Sequence, residues 1–434
     1  MSNSIVSAQA SRFPLRAGTN NWRLLAHIII AFSSLAIVLA TSVKGFSQVD
    51  SPNTLAAGRK LYVRLVTGVS TKTSHLNQAV TGRVVRDTTN GQSVLVPIGT
   101  EVTGKITKLI PPATSEDHAR MMIRFTQLAI PHHPALALTA HVTDVENARE
   151  TVLPDGTIQG ILEKNAAAGR VDGIFDKLGS AGGEMTKVSG KTLGKVDTAI
   201  DYPAGTDLAL ALDQPLTVDS PSPPTTAGQI SPALAAALQN LLSGAPQRVQ
   251  SKSKKPGDPL NLIMIGSSEQ VLAAFKQAGW SEAGKLGTKS AVGTVRAMAS
   301  DNGLGNAPVS QLYLFGRVED LAFEKTLNTF MKRHHLRLWR TQIATPDGRQ
   351  IWIGASTHDI GLDVHFGVVS HEIDPDLDVE RTKVGADLMA GGLVTAETLV
   401  SRPNPLTEGK TATGGTWKTD GQLLVVELKT SSAM

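Results

Sequence analysis

The 434 residues exceed the usual size of one domain, so two domains with a joint are expected. Hydrophobic residues at 41% and charged residues at 18% are ordinary for globular protein, so each half can bury a core. No cysteine is present, which excludes disulfides, thiolate metal sites, a catalytic Cys and an acylated lipoprotein Cys. Of the formal charge of +4, three units are Arg12, Arg16 and Arg23 near the N-terminus, and the near-neutral remainder argues against nucleic acid as a partner. Aromatics at 4% beside 40 Gly and 22 Pro favour short strands and turns over long helices.

The same three arginines precede an apolar run, Leu24–Val43, and no acid occurs before Asp50. Residues 1–45 therefore read as a signal peptide or, if uncleaved, a membrane anchor. Either reading puts the bulk of the chain in the periplasm, on the outer side of the inner membrane, or in the medium. Absence of thiol chemistry agrees with export to an oxidising compartment.

From residue 56 to 218 the pattern is β. Lys60–Val66, Ala79–Val85, Ser93–Val96, Glu101–Ile106, Met122–Leu128, Leu136–Val145 and Asp207–Leu212 are short runs rich in β-branched residues or alternating in polarity. Pro97-Ile98-Gly99-Thr100 and Pro203-Ala204-Gly205-Thr206 supply turns that start strands sharply. The expected fold is an all-β barrel or sandwich, interrupted by an irregular insertion over 160–195. Leu65-Val66-Thr67-Gly68-Val69, Gly82-Arg83-Val84-Val85 and Leu95-Val96-Pro97-Ile98-Gly99-Thr100-Glu101-Val102 together resemble the β-barrel of TrbI-type conjugal-transfer proteins. That resemblance implies a fold, not a role.

Residues 219–257 have linker composition at Ser220-Pro221-Ser222-Pro223-Pro224, with a short apolar helix at Pro232–Leu242. From 258 to 430 the period changes to that of a small α+β domain. Leu260–Gly266 reads as a buried strand and Glu269–Gln277 as a helix closed by Gly279. Strands are expected at Gln311–Phe315, His335–Thr341, Gln350–Gly354, Val364–Ser370 and Gln422–Leu428, with a second helix at Pro375–Leu388.

This half resembles the C-terminal domain family named after LssY. The phrases that carry the resemblance are Asp258-Pro259-Leu260-Asn261-Leu262, Gln311-Leu312-Tyr313-Leu314-Phe315-Gly316-Arg317, Arg333-His334-His335-Leu336-Arg337-Leu338-Trp339-Arg340, Ile351-Trp352-Ile353-Gly354-Ala355 and His371-Glu372-Ile373-Asp374-Pro375-Asp376. The resemblance implies no particular activity. Relatives often carry the domain behind membrane-embedded lipid-phosphatase or DedA domains, where this chain has a β-domain. Ser401-Arg402-Pro403 stands without the Pro-Ser-Gly-His element that phosphatase chemistry needs.

The polar stretch 334–376 supplies the candidate ligand-binding residues: His334, His335, Arg337, Trp339, Arg340, Trp352, His358, Asp359, His371 and Asp374. Strand alternation puts His334, Leu336, Leu338 and Arg340 on one face and His335, Arg337 and Trp339 on the other, where Trp352 is expected to join Trp339. An aromatic floor with cationic neighbours suits an anionic or sugar-like ligand, whereas the bland alternative is a hairpin packed on a helix or on the β-domain. Adjacent His334 and His335 point to opposite faces, so no metal site and no cofactor is inferred from them. Asp374 followed by Pro375 reads as a helix N-cap, with Asp376, Asp378 and Glu380 near the positive end of the helix dipole.

No nucleophile elbow and no phosphate-cradling loop occurs. The expectation is therefore an exported envelope protein serving as a binding or assembly module, without catalytic residues that can be named. Its partners would be other envelope proteins or a cell-wall or lipid-derived ligand. The alternative is an envelope hydrolase built from the His, Asp and Arg residues of the C-terminal half.

Overall fold

Strands are the commonest regular element of the described residues. The computed structural model describes residues 53–91, 93–114, 116–163, 197–219, 221, 228–283, 311–329, 331–365, 368–411 and 414–430. The leader expected at 1–45 and most of the insertion expected at 160–195 lie outside the described residues. Among the described residues, no helix is long and apolar enough to cross a membrane.

Six strands form the first body: β1 (Lys60–Leu65), β2 (Ala79–Val84), β3 (Glu101–Ile110), β4 (Arg120–Ala129), β5 (Leu136–Val145) and β6 (Asp207–Leu212). Each pairs with the next, and β6 pairs antiparallel with both β5 and β1, closing a barrel. Alternation sets the inner face. Leu61, Val63 and Leu65 of β1 are buried, as are Val102 and Ile106 of β3 and Met121, Ile123 and Phe125 of β4. They belong to one apolar core with Leu208, Leu210 and Leu212 of β6. Closure also needs a close backbone approach at Gly104, where an added Cβ would strike the backbone of Arg124 and Phe125. The β3–β4 register shifts at that point.

The segment expected as a joint contains packed structure. Helix α1 (Pro232–Gly244) starts at Ser231, whose hydroxyl accepts from the Leu234 N–H at 3.2 Å. Its Leu234, Leu238, Leu241 and Leu242 are buried in the core of the second sheet.

The second sheet contains β7 (Leu262–Ile265), β8 (Ser281–Glu282), β9 (Leu321–Lys325), β10 (Arg333–Ala344), β11 (Gln350–His365), β12 (Val368–Ile373), β13 (Val394–Ser401) and β14 (Gln422–Leu428). Its order is β8-β9-β10-β11-β7-β14-β13, with β12 attached to β11. One pair, β7–β14, is parallel and the rest are antiparallel. Helix α2 (Ser268–Gln277) begins with a capping box between Ser267 and Gln270, and α3 is Leu377–Ala390. Both faces of the sheet are buried. α1 packs with Trp339, Ile351 and Ile353 on one face, whereas α2 and α3 pack with Leu336, Leu338 and Trp352 on the other.

Three sequence expectations are corrected here. Trp352 lies opposite Arg340, and Trp339 opposite Ile353, so the two indoles are on opposite faces of the sheet. The strand expected at 364–370 is a hairpin: His365 ends β11, and β12 returns beside it. The helix expected from Pro375 begins at Leu377, with Asp376 at its cap position and no side-chain cap bond. Asp374 instead accepts the Asp376 N–H at 2.9 Å, bracing the turn before the helix.

Candidate functional site: a buried ion network between barrel and sheet

Two polar clusters flank strands β10 and β11, one on each face. The larger lies where the barrel meets the second sheet, within the compact unit Ser51–Met434. Asp207, at the start of β6, accepts from Arg64 Nε at 2.7 Å and from Nη2 at 3.0 Å. It also accepts from two lysines of the second half, Lys325 Nζ at 2.5 Å and Lys383 Nζ at 3.2 Å. Asp387 of α3 mirrors it, accepting from Arg64 at 3.1 Å, Lys325 at 3.1 Å, Lys383 at 2.7 Å and the Trp280 indole N–H at 2.9 Å. Asp207, Lys325, Lys383 and Asp387 are all buried.

The segment after β5 continues the contact. Glu146 lies 3.1 Å from Lys383 Nζ and 3.5 Å from His334 Nε2. Asn147 Nδ2 donates to the Lys325 carbonyl at 2.9 Å, which turns Asn147 Oδ1 towards His358 Nε2 at 3.0 Å. His358 Nε2 must then carry the proton of that bond. Further along, the Arg149 N–H donates to Asn328 Oδ1 at 3.0 Å, and Lys332 Nζ donates to the Ala148 carbonyl at 3.0 Å.

His334 and His358 are cross-strand partners, with rings stacked 4.0 Å apart at 19°. His334 Nδ1 lies 2.6 Å from Glu380 Oε2, so its two nitrogens face two carboxylates. Burial opposes the charge on His334, but Glu380 and Glu146 outweigh it and raise its pKa to about 9. Burial, reinforced by the charge of His334, lowers His358 to about 4. Near neutral pH the pair therefore carries one positive charge, on His334.

The surrounding charges are fixed by the same contacts. Burial opposes ionisation of Lys383, yet Glu146, Asp387 and Asp207 hold it well above the usual lysine range. Burial likewise opposes ionisation of Glu146, but Lys383, His334 and Lys325 hold it well below the usual carboxylate range. Asp387 is held low by Lys383, Lys325 and Arg64 against the effect of burial.

His334, His358 and Glu380 bring potential ligand atoms within 4.8 Å of one another. A metal bound through imidazole lies near the plane of the ring, and two rings stacked face to face do not aim at one ion. Glu380 occupies Nδ1 of His334, and Nε2 faces Glu146 at 3.5 Å without a hydrogen bond. The geometry fits one protonated imidazole stacked on a neutral one better than two ligands of one ion.

The smaller cluster lies on the other face. Asp359 accepts from Arg333 Nε at 3.1 Å and bonds His335 Nε2 at 3.0 Å. Arg337 Nη1 donates to His335 Nδ1 at 3.3 Å, so the His335 proton is on Nε2. Burial lifts the carboxyl of neighbouring Asp258 above its usual range and lowers Arg337 below the usual arginine range.

The ten candidate residues thus do not share one cavity. His334 pairs with His358, and His335 groups with Asp359 and Arg337. Trp339 and Trp352 are core residues, their indole N–H groups donating to the carbonyls of Arg317 at 3.3 Å and Gly266 at 2.9 Å. Arg340 is exposed and donates to Gln350 at 2.6 Å. His371 lies opposite Leu362 in β12 by backbone register, and its side chain is outside the described residues. A cavity of about 50 Å³ touches Glu146, Asp207, Lys383 and Asp387. It can hold ordered water but is far below the roughly 300 Å³ of a small-molecule pocket. A larger groove of about 440 Å³, by Ser231, Arg349 and Glu427, contains none of the ten.

Sequence reasoning missed Glu146, Asp207, Lys325, Lys383 and Asp387. The usable signal was in α3, where Glu380, Arg381, Lys383 and Asp387 interrupt the apolar positions Val384 and Leu388 and are nevertheless buried. Charges on the core side of a helix need partners from elsewhere in the fold.

Residues 242–423 match the family model described as LssY C-terminus. This LssY-like domain begins within α1, ends inside β14, and covers less than half of the 434 residues. It contains His334, His358, Glu380, Lys383 and Asp387, while Arg64, Glu146 and Asp207 come from the barrel. Among solved structures, the chain is similar to ComB10 of the Com type IV secretion system of Helicobacter pylori. The identity is 14% and the TM-score 0.23, over 39% of this chain and 93% of that one. No curated protein matches.

Proposed function

We propose that this chain is an exported bacterial envelope protein in which the barrel and the LssY-like domain act together as a binding or assembly module rather than as a hydrolase. One observation carries the non-catalytic part. The histidines and carboxylates that would do chemistry are engaged in buried contacts with other protein groups, and the cavity of about 50 Å³ beside the ion network is lined by Glu146, Asp207, Lys383 and Asp387 and, among the described residues, by no histidine. A general acid or base must reach a substrate proton within hydrogen-bond distance, and these groups face other protein groups instead. Export rests on Arg12, Arg16 and Arg23 before Leu24–Val43. The partners suited to such a module are other envelope proteins or a cell-wall or lipid-derived ligand.

Expression in a Gram-negative host, followed by fractionation and ester and phosphodiester hydrolysis assays with added divalent metal, tests both parts. The expected result is protein in the periplasm or inner membrane and no turnover above background. Full-length soluble protein in the cytosol would overturn export. Turnover lost in His334→Asn or Asp359→Asn would overturn the non-catalytic reading and restore the hydrolase.

A further inference from the structure

We infer that the stacked pair His334–His358 is a proton-sensing latch between the barrel and the LssY-like domain, holding the two together by keeping a single positive charge on the pair, carried by His334. Both rings belong to the LssY-like domain, and each touches the barrel: His334 through Glu146 at 3.5 Å and His358 through Asn147 at 3.0 Å. The contact works in one protonation state. Protonated His334 bonds Glu380 and places its charge 3.5 Å from Glu146, while neutral His358 gives its single N–H to Asn147. A second proton would place two like charges in rings 4.0 Å apart. Loss of the first would leave Glu146 and Glu380 facing a neutral ring.

When the modules part, His334 loses Glu146 but keeps Glu380, and His358 loses Asn147 and the burial that lowers it, so both move towards the ordinary value of about 6.5. Below that value the separated state binds more protons than the docked state, so acid favours opening. Above it the docked state keeps a proton that the separated state has released, so alkali also favours opening. The latch is therefore tightest near pH 6.5. With docked values of about 9 and about 4, the equilibrium for opening rises by at most roughly 20-fold by about pH 4.5 and by about pH 8.5.

Other charged groups face the pair from both modules. From the barrel, Glu146 is held ionised well below its usual range, and Arg64 is held charged. From α3, Lys383 and Asp387 are likewise held charged. Glu380 of α3, Asp359 of β11, and Lys325 and Asp207 in the network beside the pair complete the surrounding charges. Asp144 of β5, near Lys332, has its carboxyl raised by burial, so it titrates on the acid side. The acid arm is therefore read as a difference between wild type and His358→Gln.

Hydrogen exchange in the full chain reads the latch directly. The probe is the peptide spanning Glu146–Glu150, whose Arg149 N–H is bonded across the contact. Its protection, corrected for the intrinsic pH dependence of exchange, should peak near pH 6.5 and fall several-fold, by at most roughly 20-fold, at about pH 4.5 and about pH 8.5. Peptides from β3, inside the barrel, should show no such profile. His358→Gln should lose the acid arm and keep the alkaline one. Protection at 146–150 that is flat from about pH 4.5 to 8.5 in the wild type would overturn the latch whether or not the variant folds. An acid arm of equal size in a folded His358→Gln protein would overturn it as well.

Discussion

Asp207 of the barrel and Asp387 of the LssY-like domain share the same three cations, Arg64, Lys325 and Lys383. Neither carboxylate is complete within its own module. Isolating charges from water costs several kcal/mol per ion, and the cost is offset only when the geometry supplies partners on every side. The network therefore favours one relative placement of the two modules over others. Its contribution to specificity can exceed its contribution to net stability.

Removing one member should be expensive. Asp387→Ala leaves Lys383 and Lys325 with one fewer carboxylate and orphans the Trp280 N–H, which was bonded at 2.9 Å. A loss of about 3–5 kcal/mol is expected in urea denaturation. A loss below about 1 kcal/mol would mean that water reaches the network freely.

The acid limb of stability has a defined sign. Asp387 and Glu146 have folded-state values below their ordinary ones, 3.8 and 4.5. The stability they contribute is present above the ordinary values and is lost as pH falls through the folded ones. Asp387→Asn should be less stable near neutral pH and lose stability less steeply below about pH 4. Parallel acid limbs for variant and wild type would contradict this.

The start of α3 separates bracing from capping. Asp378 accepts from Thr419 Oγ1 at 2.6 Å and the Asp420 N–H at 2.8 Å, and lies 3.1 Å from Arg381. Asp376 makes no cap bond. Asp378→Ala should cost about 1–3 kcal/mol, whereas Asp376→Ala should stay within about 0.5 kcal/mol. Thermal melts that rank them in the opposite order would place the cap at Asp376.

Gly354 tests how closely β10 and β11 approach. An added Cβ would come within 2.5 Å of the Arg337 carbonyl oxygen and 2.6 Å of a Leu338 methyl. Gly354→Ala should destabilise by about 1–3 kcal/mol. A neutral effect would show that the hairpin can shift to admit a methyl group.

Much of the fold was legible, and the failures have identifiable causes. Alternation located β5 and β6 at their observed bounds because one side of each strand faces the barrel core. It failed at β10 and β11 because both faces of that hairpin are buried, so polarity does not mark an outer side. Trp352 was misplaced because the loop between paired Ala344 and Gln350 spans five residues, 345–349, an odd number. Positions of like parity then face each other, and with the register shift between Arg340 and Ala344 Trp352 comes opposite Arg340. Glu146, Asp207 and Asp387 were not legible as a group, because the residues they bind lie far away along the chain.

The measurement that tests the ion network most directly is a double-mutant cycle across the two modules, with Asp207→Ala, Lys325→Ala and the double variant compared by denaturant unfolding. These residues lie 2.5 Å apart and are both buried. A coupling energy of about 1–3 kcal/mol is expected, because each single change leaves a buried charge short of a partner. Effects that add within about 0.5 kcal/mol would show that the barrel and the LssY-like domain do not share these charges, and the account of the polar residues as an interface would fail.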